Sequence, residues 1–121
     1  MDNRHKLGRQ GEDLAAEYLE SLGCRIVERN FSHRIGEIDL VALDGGTVVI
    51  VEVKTRSKTG RRPGEAVDYR KQRKLTLTAA LFLKSRQWEN RPARFDVVEI
   101  VQGGGAPMIR HIKSAFEATE W

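Results

Sequence analysis

Two runs rich in Val and Ile, residues 37–43 and 47–55, flank Asp44-Gly45-Gly46, and that combination admits little besides a β-hairpin closed by a tight turn. With Asp44 facing Thr47, the ladder sets Asp39 opposite Glu52 and Glu37 opposite Lys54. Side chains alternate across a strand, so all four charged groups share one face of the sheet with Val41, Leu43, Val48 and Ile50. Ile38, Leu40, Ala42, Val49, Val51 and Val53 take the other face, and both faces are apolar enough to need covering. A turn longer by one residue would set Asp39 against Val51 and scatter the cluster.

Directly opposed like charges on paired strands repel, and the β-carbons of Asp39 and Glu52 would stand about 4.5–5.5 Å apart. Lys54, two residues beyond Glu52, supplies one positive charge, whereas a divalent cation would supply two and use both carboxylates as oxygen ligands. The backbone carbonyl of Val53 offers a further oxygen, and Glu12, at the rim of a helix packed on this face, could complete the pocket. Mg²⁺ or Mn²⁺ held there would orient a scissile phosphodiester, lower the pKa of a bound water and neutralise developing charge. Lys54 would position or activate the water, and Glu37 would orient Lys54. The competing reading is a salt-bridge ladder at a sheet end, Glu37 with Lys54 and Asp39 with an arginine, which needs no metal.

Leu7, Gly11, Leu14, Ala15, Tyr18, Leu19 and Leu22 recur at three- and four-residue steps and predict an amphipathic helix stopped by Gly23. A short strand over 24–29 and a basic loop around His33 and Arg34 lead to the hairpin. A second helix from Glu65 or Asp68 to Lys84 follows, then strands over 94–101 and 108–112 joined by Gly103-Gly104-Gly105. The order is α-β-β-β-α-β-β. At 121 residues, 40% of them hydrophobic, the chain suits one domain over 1–121 with a single modest core. Its lone cysteine, Cys24, cannot form an internal disulfide framework and fits a reducing cytoplasm. No stretch approaches the roughly 20 apolar residues of a membrane span, and residues 1–11 lack the apolar run of an export signal.

The net charge of +4 is unevenly spread, since Lys54 to Lys74 carries nine basic residues against two acidic ones. Arg34, Arg56, Lys58, Arg61, Arg62, Arg70, Lys71 and Lys74, with Gln72 beside them, are candidates to follow a phosphate backbone. The positive end of the second helix would help. Contact with about five phosphates predicts that log K falls against log salt with a slope of roughly −4.5. The histidines lack zinc spacing, and neither glycine-rich stretch fits a phosphate loop. Trp88 and Trp121 could stack on bases, but isolated aromatics near loops and tails more often cover a core edge, and they are assigned no role.

Asp39 followed by Glu52-Val53-Lys54 resembles the core pattern of the PD-(D/E)XK nuclease superfamily. Over nearly the whole chain, Gly11-Glu12, Arg29-Asn30, Gly36-Glu37-Ile38-Asp39-Leu40, Val51-Glu52-Val53-Lys54-Thr55-Arg56, Glu65-Ala66-Val67 and Arg94-Phe95-Asp96-Val97-Val98 are similar to the bacterial YraN family of endonuclease-like proteins. The resemblance implies an α/β restriction-endonuclease-like core, a mixed five-stranded sheet flanked by helices. It also implies an Mg²⁺- or Mn²⁺-dependent nuclease acting on DNA in preference to RNA, branched or structured DNA included. Glu12 then matches the helix-borne glutamate of archaeal Holliday-junction resolvases. Two departures stand out: Ile38 replaces the proline, and Gln72 is followed four residues later by Thr76 where some members carry tyrosine. Single-site nucleases often pair to cut two strands, which makes a homodimer an open expectation. The alternatives are a nucleic-acid-binding module that keeps the fold without hydrolysis, and an adaptor in a DNA-processing assembly.

Overall fold

Seven elements follow one another in the computed structural model, which describes residues 3–57 and 67–118. They are α1 (Asn3–Ser21), β1 (Arg25–His33), β2 (Gly36–Asp44), β3 (Thr47–Ser57), α2 (Tyr69–Arg86), β4 (Ala93–Gln102) and β5 (Met108–Phe116). The strands lie in the order β1-β2-β3-β4-β5, parallel between β3 and β4 and antiparallel elsewhere. A parallel neighbour requires a crossover, and α2 lies within it. The mixed five-stranded sheet and the α-β-β-β-α-β-β order are those expected.

The helices cover opposite faces. Ala15, Ala16 and Leu19 of α1 pack with Leu40, Ala42, Val49, Val51, Val98 and Ile100. Leu75, Ala79 and Phe82 of α2 pack with Val41, Val48, Ile50, Phe95 and Val97. Burial on both sides explains why β3 and β4 read as nearly continuous apolar runs. Phe82 is fully buried and meets Phe31 and Trp88 edge-on, so Trp88 does cover a core edge.

Local chemistry sets the ends of the helices. Gly23 adopts φ 94° and closes α1, with the Cys24 amide donating to the Leu19 carbonyl at 3.0 Å. The helix therefore ends at Ser21, and Leu22, expected on the apolar stripe, is 51% exposed. At α2 the Asp68 carboxylate accepts the Lys71 amide at 2.9 Å and caps a helix that starts at Tyr69, next to the Asp68 start expected; the alternative start, Glu65, lies outside the described residues. β1 continues to His33, so the expected basic loop shrinks to a turn at Arg34 and Ile35, and β5 runs on to Phe116.

The hairpin turn has the expected register, with Asp44 facing Thr47 and Leu40 facing Val51. Alternation then fails at one point. Ile38 packs on the α2 side, whereas Leu40 and Ala42, of the same parity, pack on the α1 side. The break falls at Asp39, and between the partners of Leu40 and Ile38 on β1 lies Asn30, in the left-handed region at φ 55°. Asn tolerates that conformation better than a branched residue would. Among the described residues no helix is long and apolar enough to cross a membrane.

Candidate functional site

Pairing between β2 and β3 stops at Leu40 and Val51, so Asp39 does not sit in a ladder position opposite Glu52. Its Oδ2 instead accepts the backbone N–H of Val53 at 2.8 Å. A side-chain oxygen has taken the place of a strand partner, and the space opened by the diverging strands is the site. Glu52 remains on the α2 side and is buried. Lys71, reaching down from α2, forms an ion pair with Glu52 Oε1. A cleft of about 120 Å³ lies here, lined by Gly36, Glu37, Asp39, Glu52, Lys71 and Lys74. Gly36 lets β2 start close beneath α2, because a Cβ there would stand 3.1 Å from Thr78 Oγ1.

Electrostatics in the cleft are strained on the acidic side. Burial, followed by the Glu52 carboxylate, pushes the pKa of Asp39 up to about 7, with Glu12 adding to the rise. The Val53 amide and the Lys71 ammonium oppose it. Burial works against the charge on Lys71, but the Glu52 carboxylate, with Asp39 and Asp68, outweighs it and raises the lysine's pKa. Two carboxylates that cannot both ionise comfortably invite a positive charge, and Lys71 supplies one.

The other candidate residues fall into different places. Glu12 acts on Asp39 through space from α1, which packs on the face of Leu40, Val49 and Val51 and not, as expected, on the face that carries Glu52. Glu37 is exposed on the cleft rim, with Ser32 as its β1 partner, and the β2–β3 ladder ends at Leu40 and Val51, so Glu37 does not take the expected ladder position opposite Lys54. Lys54 is half-buried on β3 beside Glu99 of β4, and the same Glu99 meets Arg56, with 3.4 Å between Nε and Oε2. Arg56 therefore turns inward rather than toward a solvent-borne phosphate. Gln72 is likewise engaged locally, its side-chain amide donating to the Val67 carbonyl at 2.7 Å. Arg34, in the turn between β1 and β2, and Arg70, Lys71 and Lys74, in the first turns of α2, are exposed, while Lys58, Arg61 and Arg62 lie outside the described residues.

Among the described residues no three His, Cys, Asp or Glu side chains converge as a metal cage. Mg²⁺ usually keeps several waters and is held by one or two carboxylates together with substrate phosphates, so Asp39 and Glu52 are the two side chains here that could hold such a cation.

Two buried groups escaped the sequence reading. Glu99 is fully buried in the middle of the apolar run Val97-Val98-Glu99-Ile100-Val101, where an acid is out of keeping. On the opposite face, buried Asp96 receives Arg94 Nε at 3.1 Å and the Ser114 amide at 3.0 Å. Its Oδ2 pairs with His111 Nε2 at 2.8 Å, and His111 Nδ1 meets the Tyr18 hydroxyl at 3.1 Å. This network ties α1, β4 and β5 together, and Arg94 extends it to β2 through Asp44, its Nη1 donating to Oδ2 at 2.9 Å. Only the Arg-Phe-Asp stretch hinted at it, because Tyr18 and His111 are 93 positions apart.

Three bacterial proteins resemble this chain over most of both lengths. One from Persephonella marina is 47% identical over 111 residues, covering 91% of this chain and 92% of its own. One from Stutzerimonas stutzeri is 47% identical over 120 residues, 98% and 100% respectively. One from Symbiobacterium thermophilum is 50% identical over 117 residues, 93% and 98%. Each is described as a UPF0102 protein. The model of the uncharacterised protein family UPF0102 matches residues 11–100, which takes in α1 from Gly11, the hairpin with its acid pair, α2 and most of β4. The chain belongs to the UPF0102 family, that of YraN.

Proposed function

We propose that this protein is a divalent-cation-dependent nuclease that hydrolyses phosphodiester bonds of DNA, branched or otherwise structured DNA included. The observation that carries the reading is the Asp39–Glu52 pair in an open cleft, with Asp39 held near a pKa of about 7 and Lys71 and Lys74 of α2 lining one side. Asp39 and Glu52 would hold Mg²⁺ or Mn²⁺, with the Val53 carbonyl as a further oxygen and Glu12 as an outer acid. The cation, when bound, would polarise the phosphate and acidify a water. Lys54 on β3 would orient the attacking water and stabilise negative charge gathering on the phosphate, and Glu99 beside it would hold its side chain in place. Arg34, Arg70 and Lys74 would draw the strand across the cleft mouth.

Incubation of the purified protein with Mg²⁺ or Mn²⁺ and linear, nicked, flapped and four-way-junction DNAs tests this. The expected result is cation-dependent cleavage that is lost in Asp39→Asn and in Glu52→Gln. Cleavage surviving both substitutions would place the activity elsewhere, and no cleavage of any substrate by the wild type would favour the second reading. That reading is a nucleic-acid-binding module without hydrolysis, and the Lys71–Glu52 ion pair favours it, because the chain already neutralises half of its own acid pair.

A further inference from the structure

Lys71 stands where a cation would have to go. Its ammonium is on Glu52 Oε1 and its charge also acts on Asp39, the other acid of the pair. A divalent cation and an ammonium cannot share one carboxylate oxygen without strong repulsion, so entry of one must move the other. The lysine is free to move: its side chain is 50% exposed, whereas that of Glu52 is 9% exposed. Once displaced, the four-carbon stem leaves the ammonium in the same cleft as Lys74, one helical turn further on, at the opening toward solvent. A phosphate crossing the cleft would meet it there.

We infer that Lys71 is an exchangeable counter-ion, holding Glu52 while no cation is bound and turning to a nucleic-acid phosphate when one enters, so that cation and nucleic acid bind cooperatively. The inference rests on the nuclease-site reading above. Without nucleic acid the lysine competes with the cation and weakens its binding. With nucleic acid present the phosphate draws the lysine away and the cation binds more tightly. Linkage makes the effect reciprocal: the cation must strengthen nucleic-acid binding by the same factor.

The test measures Mn²⁺ binding to the full chain by calorimetry, and binding of a fluorescent four-way-junction DNA by anisotropy, with and without Mn²⁺ at 4 °C before turnover. Lys71→Met, and Lys71→Gln as a second neutral variant, should bind Mn²⁺ about fivefold more tightly than the wild type when DNA is absent. The gain in DNA affinity on adding Mn²⁺ should shrink in both variants and persist in Lys71→Arg. Unchanged or weaker Mn²⁺ binding in both folded neutral variants, or an undiminished gain, overturns the exchange while leaving the metal site standing. A wild type that binds no Mn²⁺ removes the nuclease-site reading and this inference together.

Discussion

The Asp39 carboxylate accepts the backbone amide of Val53 at 2.8 Å, at the point where β2 and β3 have ceased to pair. One oxygen thus terminates the ladder and leaves the group beside Glu52 in a partly dry cleft. Asp39 titrates near 7 in the folded chain, and an unfolded aspartate titrates at about 3.9. Between those values the folded state binds more protons, so this residue's contribution makes stability fall as pH rises from about 4 to about 7 and level off above. Asp39→Asn keeps the contact with Val53 and removes the charge. Its melting temperature in chelator should overtake that of the wild type progressively over that window. The gain should reach roughly 2 kcal/mol at pH 8, allowing for solvent in the half-open cleft. An equal gap at pH 4 and pH 8 would contradict it.

Cation binding should carry the same signature with the opposite sign. A ligand that needs ionised Asp39 must expel its proton below pH 7, so Mn²⁺ affinity should drop up to tenfold per pH unit below about 7 and be flat above. Calorimetry in buffers of different ionisation enthalpy should find up to one proton released per cation at pH 6. At 100 times its dissociation constant the cation should add about 2.7 kcal/mol to stability, and EDTA should reverse the gain.

Gly11 of α1 is pressed against β3, and a Cβ there would overlap Thr55 Oγ1. Gly11→Ala should therefore destabilise the fold by about 1–3 kcal/mol despite the better helix propensity of alanine. Thr55→Ala should restore most of that loss, because the Thr55 Cβ lies at an ordinary 3.4 Å from the added carbon. Chemical denaturation of the two single variants and the double variant measures the coupling, and additive losses would refute the contact.

Asp96 is fully buried under Arg94, His111 and the Ser114 amide. Removing one partner of such a network leaves the others uncompensated, so Asp96→Ala should cost about 3–5 kcal/mol. If the folded variant keeps its Mn²⁺-induced thermal shift, the network is a structural tie across the sheet, separate from the cleft. Loss of that shift in a folded variant would show that the two faces are linked.

Lys71 belongs to the acid pair, so its charge reversal would disturb cation and DNA binding together. Arg70 and Arg73, exposed on α2, separate the two. Arg70→Glu with Arg73→Glu should weaken DNA binding and flatten the slope of log K against log salt by about 1.8 if each contacts a phosphate. The Mn²⁺ shift should be unaffected. An unchanged salt slope would move the backbone track off this helix.

The hairpin register was legible because Asp-Gly-Gly between β-branched runs leaves few turn geometries, and Asp44 does face Thr47. Helix phasing was legible too, including one signal passed over: Lys71 shares the stripe of Leu75, Thr78 and Phe82 and so had to point at the sheet. What periodicity could not reveal was the break at Asp39, where alternation predicted Ile38 on the same face as Leu40 and Ala42. A carboxylate replacing a strand partner, opposite a left-handed Asn30, is a decision between two strands rather than within one.

The sequence alone determined the element order, the pairing of the central hairpin and the presence of Asp39, Glu52 and Lys54 near one end of it, because these depend on local turn chemistry and on periods of 2 and 3.6 residues. Tertiary structure alone decided that β2 and β3 splay, that Lys71 sits on Glu52, and that Glu99 lies beside Lys54. It also decided that Asp96, His111 and Tyr18 converge. Those contacts join residues distant along the chain, and their energies come from burial and charge that exist only once both helices close on the sheet.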